Sequence, residues 1–184
     1  MTLATAARRY ARALFDVVLQ QQGDLDRIGR ELDEFAVLVA GNPALHAVIS
    51  NPAVPAGKKR AMVDALVAQA GTLSDPVART LALLADRDRL ALIPQIARAY
   101  GERLMDHRHI VRAEVTTAVP IVAERTKAIA AALGKATGRQ VLVDSKVDGA
   151  ILGGVVARVG SIVYDGSVAR QLERMKEQLV ESGQ

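Results

Sequence analysis

The 184-residue sequence has no cysteine and no tryptophan, and only two phenylalanines and three tyrosines. Without thiols, disulfides and thiolate-held metals are excluded outright, and a reducing compartment is allowed. With so few rings, the core has to be built from Ala, Val, Leu and Ile, and half of all residues are apolar. No apolar run approaches the ~18 residues of a membrane-spanning helix. Nor is charge of one sign concentrated. The net charge of +4 arises from 14 Lys/Arg against 12 Asp/Glu up to Arg108 and 10 against 8 beyond it. A nucleic-acid-binding domain carries a clustered basic footprint with aromatics or Gly-rich basic loops. Nothing of the kind is present, so no nucleic acid is expected as a partner.

Catalytic and metal constellations are also missing. His107 and His109 are the one close histidine pair, and beyond Asp106 no nearby carboxylate or thiol completes a ligand set; a solvated linker is the preferred reading. Gly134-Lys135-Ala136-Thr137 brushes against a phosphate-loop pattern, but Ile129 stands where the first glycine belongs and the run closes a helix instead of opening one. Gly149, Gly153 and Gly154 do not match a dinucleotide fingerprint and lie between strands. No Ser-His-Asp or paired-carboxylate spacing can be proposed. The expectation is therefore a protein with no cofactor, no metal and no catalysis of its own. Its N-terminus, MTLATAARRYARALF, has the charge bias of a transit peptide but runs straight into a helix. It is taken as part of the fold, which favours a bacterial cytoplasmic protein.

What is present begins with a helix from about Thr5 to Gln22. Arg8, Arg9, Arg12, Asp16 and Gln20 share one side, and Tyr10, Ala11, Ala13, Leu14, Phe15, Val17 and Val18 cover the rest. That apolar arc is roughly 200° wide, about twice what a surface helix needs. Such a helix is buried on two sides or keeps one side for a partner. Asp24 can cap a second helix with Leu25, Ile28, Leu32, Phe35 and Val39 inward. Gly41-Asn42-Pro43 breaks it before a short helix from Ala44 to Ser50. A fourth helix runs from Pro55 to Ala70, with Lys58, Lys59 and Arg60 in its first turn, where they oppose the helix dipole. They are either a solvated face or a contact for an acidic partner. Ser74-Asp75-Pro76 is a capped start for a fifth helix carrying Val77, Leu81, Leu84 and Ala85 in one stripe, with Thr80, Leu83 and Arg87 beside it. After the polar break Asp86-Arg87-Asp88-Arg89, a sixth helix spans about Leu92 to Arg108. Six helices on short linkers make an all-helical bundle.

The period changes at His109. Val111, Ala113, Val115, Thr117 and Val119 alternate with polar residues as a strand does. A helix from Ile121 to Ala136 follows, then a strand from Val141 to Val147, a Gly153-Gly154 bend, a strand from Val155 to Tyr164, and an Asp165-Gly166 turn. Ser167 can cap a last helix with Val168, Leu172, Met175 and Leu179 in one apolar stripe. The fold class is α+β: residues 1–106 form a six-helix bundle and residues 107–184 a small mixed domain in the order β-α-β-β-α.

Three stretches carry a family resemblance. Arg9-Tyr10-Ala11-Arg12-Ala13-Leu14-Phe15 resembles the opening "RYAxALF" helix of the delta subunits of bacterial F-type ATP synthases, whose mitochondrial relative is the oligomycin-sensitivity-conferring protein. Leu83-Leu84-Ala85-Asp86-Arg87-Asp88-Arg89-Leu90 is similar to the segment around that family's fifth helix. The run from Val141 to Gly160, with Asp165-Gly166-Ser167-Val168, resembles its C-terminal signature and is the most specific of the three, although Ala157 stands where the family usually carries a larger branched aliphatic.

The resemblance implies a non-catalytic stator subunit of the peripheral stalk, at the cytoplasmic face of the bacterial plasma membrane and membrane-associated only through the complex. The first domain would grip the N-terminal helix of an alpha subunit between its first and fifth helices. The matching positions are Tyr10, Ala13, Leu14 and Val17 on one side and Thr80, Leu83 and Leu84 on the other. The second domain would meet the C-termini of the b subunits through Val168, Leu172, Met175 and Leu179. Two rival readings are a generic helical adaptor that dimerises through its sheet domain, and a small enzyme using a pocket between its domains, which would need convergent polar groups that the sequence does not offer.

Overall fold

The computed structural model describes residues 3–71, 73–149, 151 and 153–181, with side chains omitted at 3, 70, 174 and 176–181. The chain divides into two compact units, Met1–Met105 and Asp106–Gln184.

The first unit consists of six helices: α1 (Leu3–Gln20), α2 (Leu25–Gly41), α3 (Pro43–Ser50), α4 (Ala56–Ala70), α5 (Asp75–Asp86) and α6 (Ile93–His107), with a 3-10 turn at Leu90–Leu92 leading into α6. Local chemistry sets their ends. Asp24 accepts from the backbone N–H groups of Asp26 and Arg27, both at 3.0 Å, and these hydrogen bonds, Arg27's foremost, hold its carboxyl below the usual range. Asn42 does the same for α3 through Leu45 N at 3.1 Å, just ahead of Pro43. Gly71 closes α4 at φ 60°, its N–H on the carbonyl of Val67.

The core is aliphatic, as the shortage of rings requires. Ala7, Ala11, Leu14, Phe15 and Val18 of α1 meet Ile28, Leu32, Phe35 and Val39 of α2 and Val77, Leu81, Leu84 and Ala85 of α5 in one buried cluster. Two of the few rings meet there: Phe15 and Tyr100 lie 5.5 Å apart, tilted by 57°. The Tyr100 hydroxyl donates to Leu25 O at 3.1 Å, so its burial leaves no polar atom unsatisfied. That burial, followed by the carboxylates of Asp26 and Asp24, pushes the hydroxyl well above the ordinary tyrosine range.

Two expectations about polar residues in this unit are corrected. Ser74 stands at the N-cap of α5 with extended backbone, but its side chain makes no capping bond. Its hydroxyl donates instead to Glu31 of α2 at 2.5 Å. The three cations opening α4 do not form one free patch either. Lys59 is 1% exposed and donates to Ile49 O at 2.9 Å and Asp88 Oδ1 at 2.5 Å. Arg60 pairs with Asp64 and Asp86, and of the three only Lys58 is exposed.

The second unit is a four-stranded sheet with two helices. The order is β1 (Ile110–Thr117), α7 (Ala123–Thr137), β2 (Gln140–Val147), β3 (Gly154–Val159), β4 (Ile162–Ser167) and α8 (Val168–Glu181). Across the sheet the strands run β2-β1-β3-β4. β1 and β2 are parallel, with Val111 beside Val141, as expected for strands joined through a helix. β3 is antiparallel to both β1 and β4. Ala113, Val115, Val141, Ala157 and Val159 cover one face and pack with Leu133 and Ile129 of α7. The other face carries charged pairs such as Arg112–Asp144 at 3.3 Å.

The single strand read from Val155 to Tyr164 is in fact a hairpin. Val159 pairs with Ile162, and Gly160-Ser161 makes a two-residue turn with Gly160 at φ 60°. The order in this unit is therefore β-α-β-β-β-α. Asp165-Gly166 belongs to β4 and not to a turn. Ser167 does cap α8, accepting from Arg170 N at 3.3 Å.

Candidate partner-docking site

The wide apolar arc of α1 resolves into two stripes. Ala7, Ala11, Leu14 and Val18, spaced i, i+4, i+7 and i+11, are buried under the other helices. Tyr10, Ala13, Val17 and Gln21 run beside them and face an open groove of about 270 Å³. The opposite wall is the stripe Pro76, Thr80 and Leu83 of α5, with Asp75 and Arg79 at the rim, and Leu14 contributes from α1. Val17 is 44% exposed and Leu83 46% exposed, so the chain leaves large apolar side chains uncovered along both walls.

Six of the seven expected residues line this groove: Tyr10, Ala13, Leu14, Val17, Thr80 and Leu83. Leu84 does not. It is 1% exposed, in the core with Val77, Leu81 and Ala85. Leu84 turns into the core with Leu81 and Ala85, whereas Leu83, about 100° round the helix, turns outward. Gln21, Asp75, Pro76 and Arg79 line the groove as well and were not anticipated. Their signal was available: Gln21 is four residues beyond Val17, and Pro76 and Arg79 lie four residues before Thr80 and Leu83.

Polar chemistry is confined to the margins. Arg79 and Asp75 pair with each other at 2.8 Å. Arg89, past the end of α5, donates from Nη1 to the Tyr10 hydroxyl at 2.9 Å, its guanidinium carbon 5.8 Å from the ring centre. Among the described residues no group of three or more His, Cys, Asp or Glu is placed to hold a metal ion. The groove has the composition of a surface that buries apolar anchors, not one that moves protons.

In the second unit, α8 turns Val168, Leu172 and Met175 outward, the last two about 60% exposed. The side chain of Leu179, the fourth member of the expected stripe, lies outside the described residues. A second, larger hollow of about 680 Å³, lined by 117–122, Arg125, Ile129 and Gly153–Val155, lies in the same unit. It was not anticipated: Val119 was read as strand and Val122 as helix, whereas β1 ends at Thr117 and α7 begins at Ala123, which leaves both exposed in the connection between them.

Comparison with known proteins decides the family. Residues 6–179 match the family described as ATP synthase delta (OSCP) subunit. The chain belongs to the ATP synthase delta (OSCP) subunit family. It is 43% identical over 179 residues to "ATP synthase subunit delta" of Anaeromyxobacter dehalogenans (strain 2CP-C), covering 97% of this chain and 99% of that one. It is 37% identical to the protein of the same name from Geotalea uraniireducens (strain Rf4), covering 96% of this chain and 97% of that one. The fold agrees with a chain of the Toxoplasma gondii mitochondrial ATP synthase hexamer, at a TM-score of 0.61 and 24% identity, covering 95% of this chain and 97% of that one. As a member of the delta family the chain is a stator subunit of the F-type ATP synthase and not its catalytic one. It belongs to a membrane-associated complex, although among the described residues no single helix is long and apolar enough to cross a membrane. Membership removes the adaptor and enzyme readings.

Proposed function

We propose that the α1–α5 groove receives the N-terminal helix of an alpha subunit, and that the outward stripe of α8 receives the C-termini of the b subunits. The chain then ties the catalytic head to the membrane-anchored stalk, at the cytoplasmic face of the plasma membrane. The observation that carries this reading is the uncovered apolar furrow between Val17 and Leu83, which no side chain among the described residues fills. An amphipathic helix laid in such a furrow buries anchors at i, i+3, i+4 and i+7. Each fully buried anchor contributes about 1.5–3 kcal/mol. The exposed Val168, Leu172 and Met175 offer the second attachment.

A stator has a mechanical task. Proton flow turns a rotor inside the head, and the head turns too unless it is held. The holding subunit needs no chemistry, but it must let go slowly. Affinity differences among related interfaces lie mostly in the off-rate, so added apolar anchors lengthen the attachment. Depleting membranes of this subunit and adding it back tests the reading. Wild-type chain restores ATP-driven proton pumping, whereas Ala13→Trp, which fills the groove, leaves the head hydrolysing ATP without pumping. Full pumping with Ala13→Trp would overturn the groove's role.

A further inference from the structure

The groove has one end built at a cost that docking of apolar anchors does not explain. Arg89 is fixed there by its hydrogen bond to the Tyr10 hydroxyl and by its own N–H, which donates to Leu84 O at 2.7 Å. The residue before it, Asp88, has φ 52°, a left-handed conformation that outside glycine is taken mostly by Asn and Asp. Its carboxylate is held by Lys59, a buried cation that also caps the end of α3 through Ile49 O. Lone left-handed residues and buried charges are both expensive, and an apolar side chain in place of a buried ion often packs as well or better. Here the two costs fall together, and both act on the placement of one guanidinium.

That guanidinium is the uncompensated charge of the groove. Asp75 and Arg79 neutralise each other at the rim, and Gln21 is neutral. Arg89 faces a phenol, and among the described residues it makes no ion pair with a carboxylate. The residue is exposed beside Tyr10.

We propose that Arg89 is the charge-reading residue of the groove: it takes the carboxylate of an Asp or Glu on the docked amphipathic helix, with Lys59 and Asp88 as positioning residues. The proposal rests on the groove being the alpha-subunit site, and it adds what fixes the helix's direction and register. Apolar anchors alone slide and reverse, whereas one ion pair at one end selects a single seating.

The test is a thermodynamic cycle. A synthetic peptide of the alpha subunit's N-terminal helix, and versions with each acidic residue changed to its amide, are titrated into the full-length chain and into Arg89→Gln. Arg89→Gln weakens the parent peptide about 3- to 10-fold, the range of a partly exposed, charge-assisted pair. One amide peptide loses the same factor on wild-type chain and nothing further on Arg89→Gln. Asp88→Asn keeps the left-handed backbone because Asn tolerates it and reduces that coupling, although leaving the buried Lys59 without its carboxylate lowers the melting temperature of the chain. Lys59→Met reduces it likewise. Arg89→Gln alters an exposed side chain, so it keeps the test decisive if either positioning variant fails to fold. If the losses simply add for every amide peptide, the charge-reading role is overturned while the groove stands. If wild-type chain does not bind the parent peptide, the groove reading and this proposal fall together.

Discussion

Glu31 of α2 accepts both the backbone N–H of Ser74, at 2.9 Å, and its hydroxyl, at 2.5 Å, across 43 residues of sequence. Arg27 adds a third donor at 2.8 Å. Burial alone pushes the Glu31 carboxyl up, but the Ser74 donors and then Arg27 outweigh it, and the group is held below its ordinary value of 4.5. The contact joins α2 to the start of α5, the helix that forms one wall of the groove.

Its consequence for stability has a definite sign. A carboxyl with a lowered folded pKa stabilises the fold above the unfolded value, and that contribution is lost as pH falls through the folded one. Glu31→Gln should therefore cost about 1.5–3 kcal/mol at neutral pH, the range for hydrogen bonds to a charged group. The gap between mutant and wild type should close as pH drops below 4.5. Urea midpoints across pH 3 to 7 check it. A constant gap would mean that the carboxylate's charge is not what matters.

Adjacent leucines should separate binding from folding. Leu84→Ala removes a buried side chain and should cost about 2–5 kcal/mol of stability. Leu83→Ser changes an exposed one and should stay within about 0.5 kcal/mol in stability, while weakening the docked helix by about tenfold or more, as loss of a central apolar anchor does. Melting curves and peptide titrations on both variants give the answer. Equal effects of the two on folding would contradict the placement of Leu83 on the groove wall.

Gly154 should act on the second unit alone. It stands at φ 89°, and a Cβ there would press into Gly166 O and come within 2.8 Å of Ser167 Cα on the paired strand β4. Gly154→Val should destabilise the sheet by about 2–4 kcal/mol, the scale of severe overpacking with strain. Hydrogen exchange resolves the two units: amides of β1 to β4 should lose protection, while those of α2 and α6 keep theirs. Equal loss in both would contradict two separately cored units.

Much of this was legible in the residues because local patterns agreed with the fold. The arc on α1 was too wide for one purpose, and the structure divides it between the core and the groove. Leu84 was misplaced because the resemblance brought it along with Leu83, although the stripe Val77, Leu81, Leu84 and Ala85 already turned it inward. The β3–β4 turn was missed because Val155 to Tyr164 was read as one strand running through Gly160. Gly160-Ser161 between the β-branched Val159 and Ile162 is itself a hairpin signal. Lys59 could not have been read at all. Nothing near it in sequence announces that Asp88, 29 residues on, will hold its charge.

The most direct test of the central claim is calorimetric titration of the alpha subunit's N-terminal peptide into the full-length chain and into Ala13→Trp. The account predicts saturable one-to-one binding to wild type and none to Ala13→Trp, with the variant's melting temperature unchanged because Ala13 faces the groove and not the core. Wild-type affinity in a folded Ala13→Trp would show that the helix docks somewhere else.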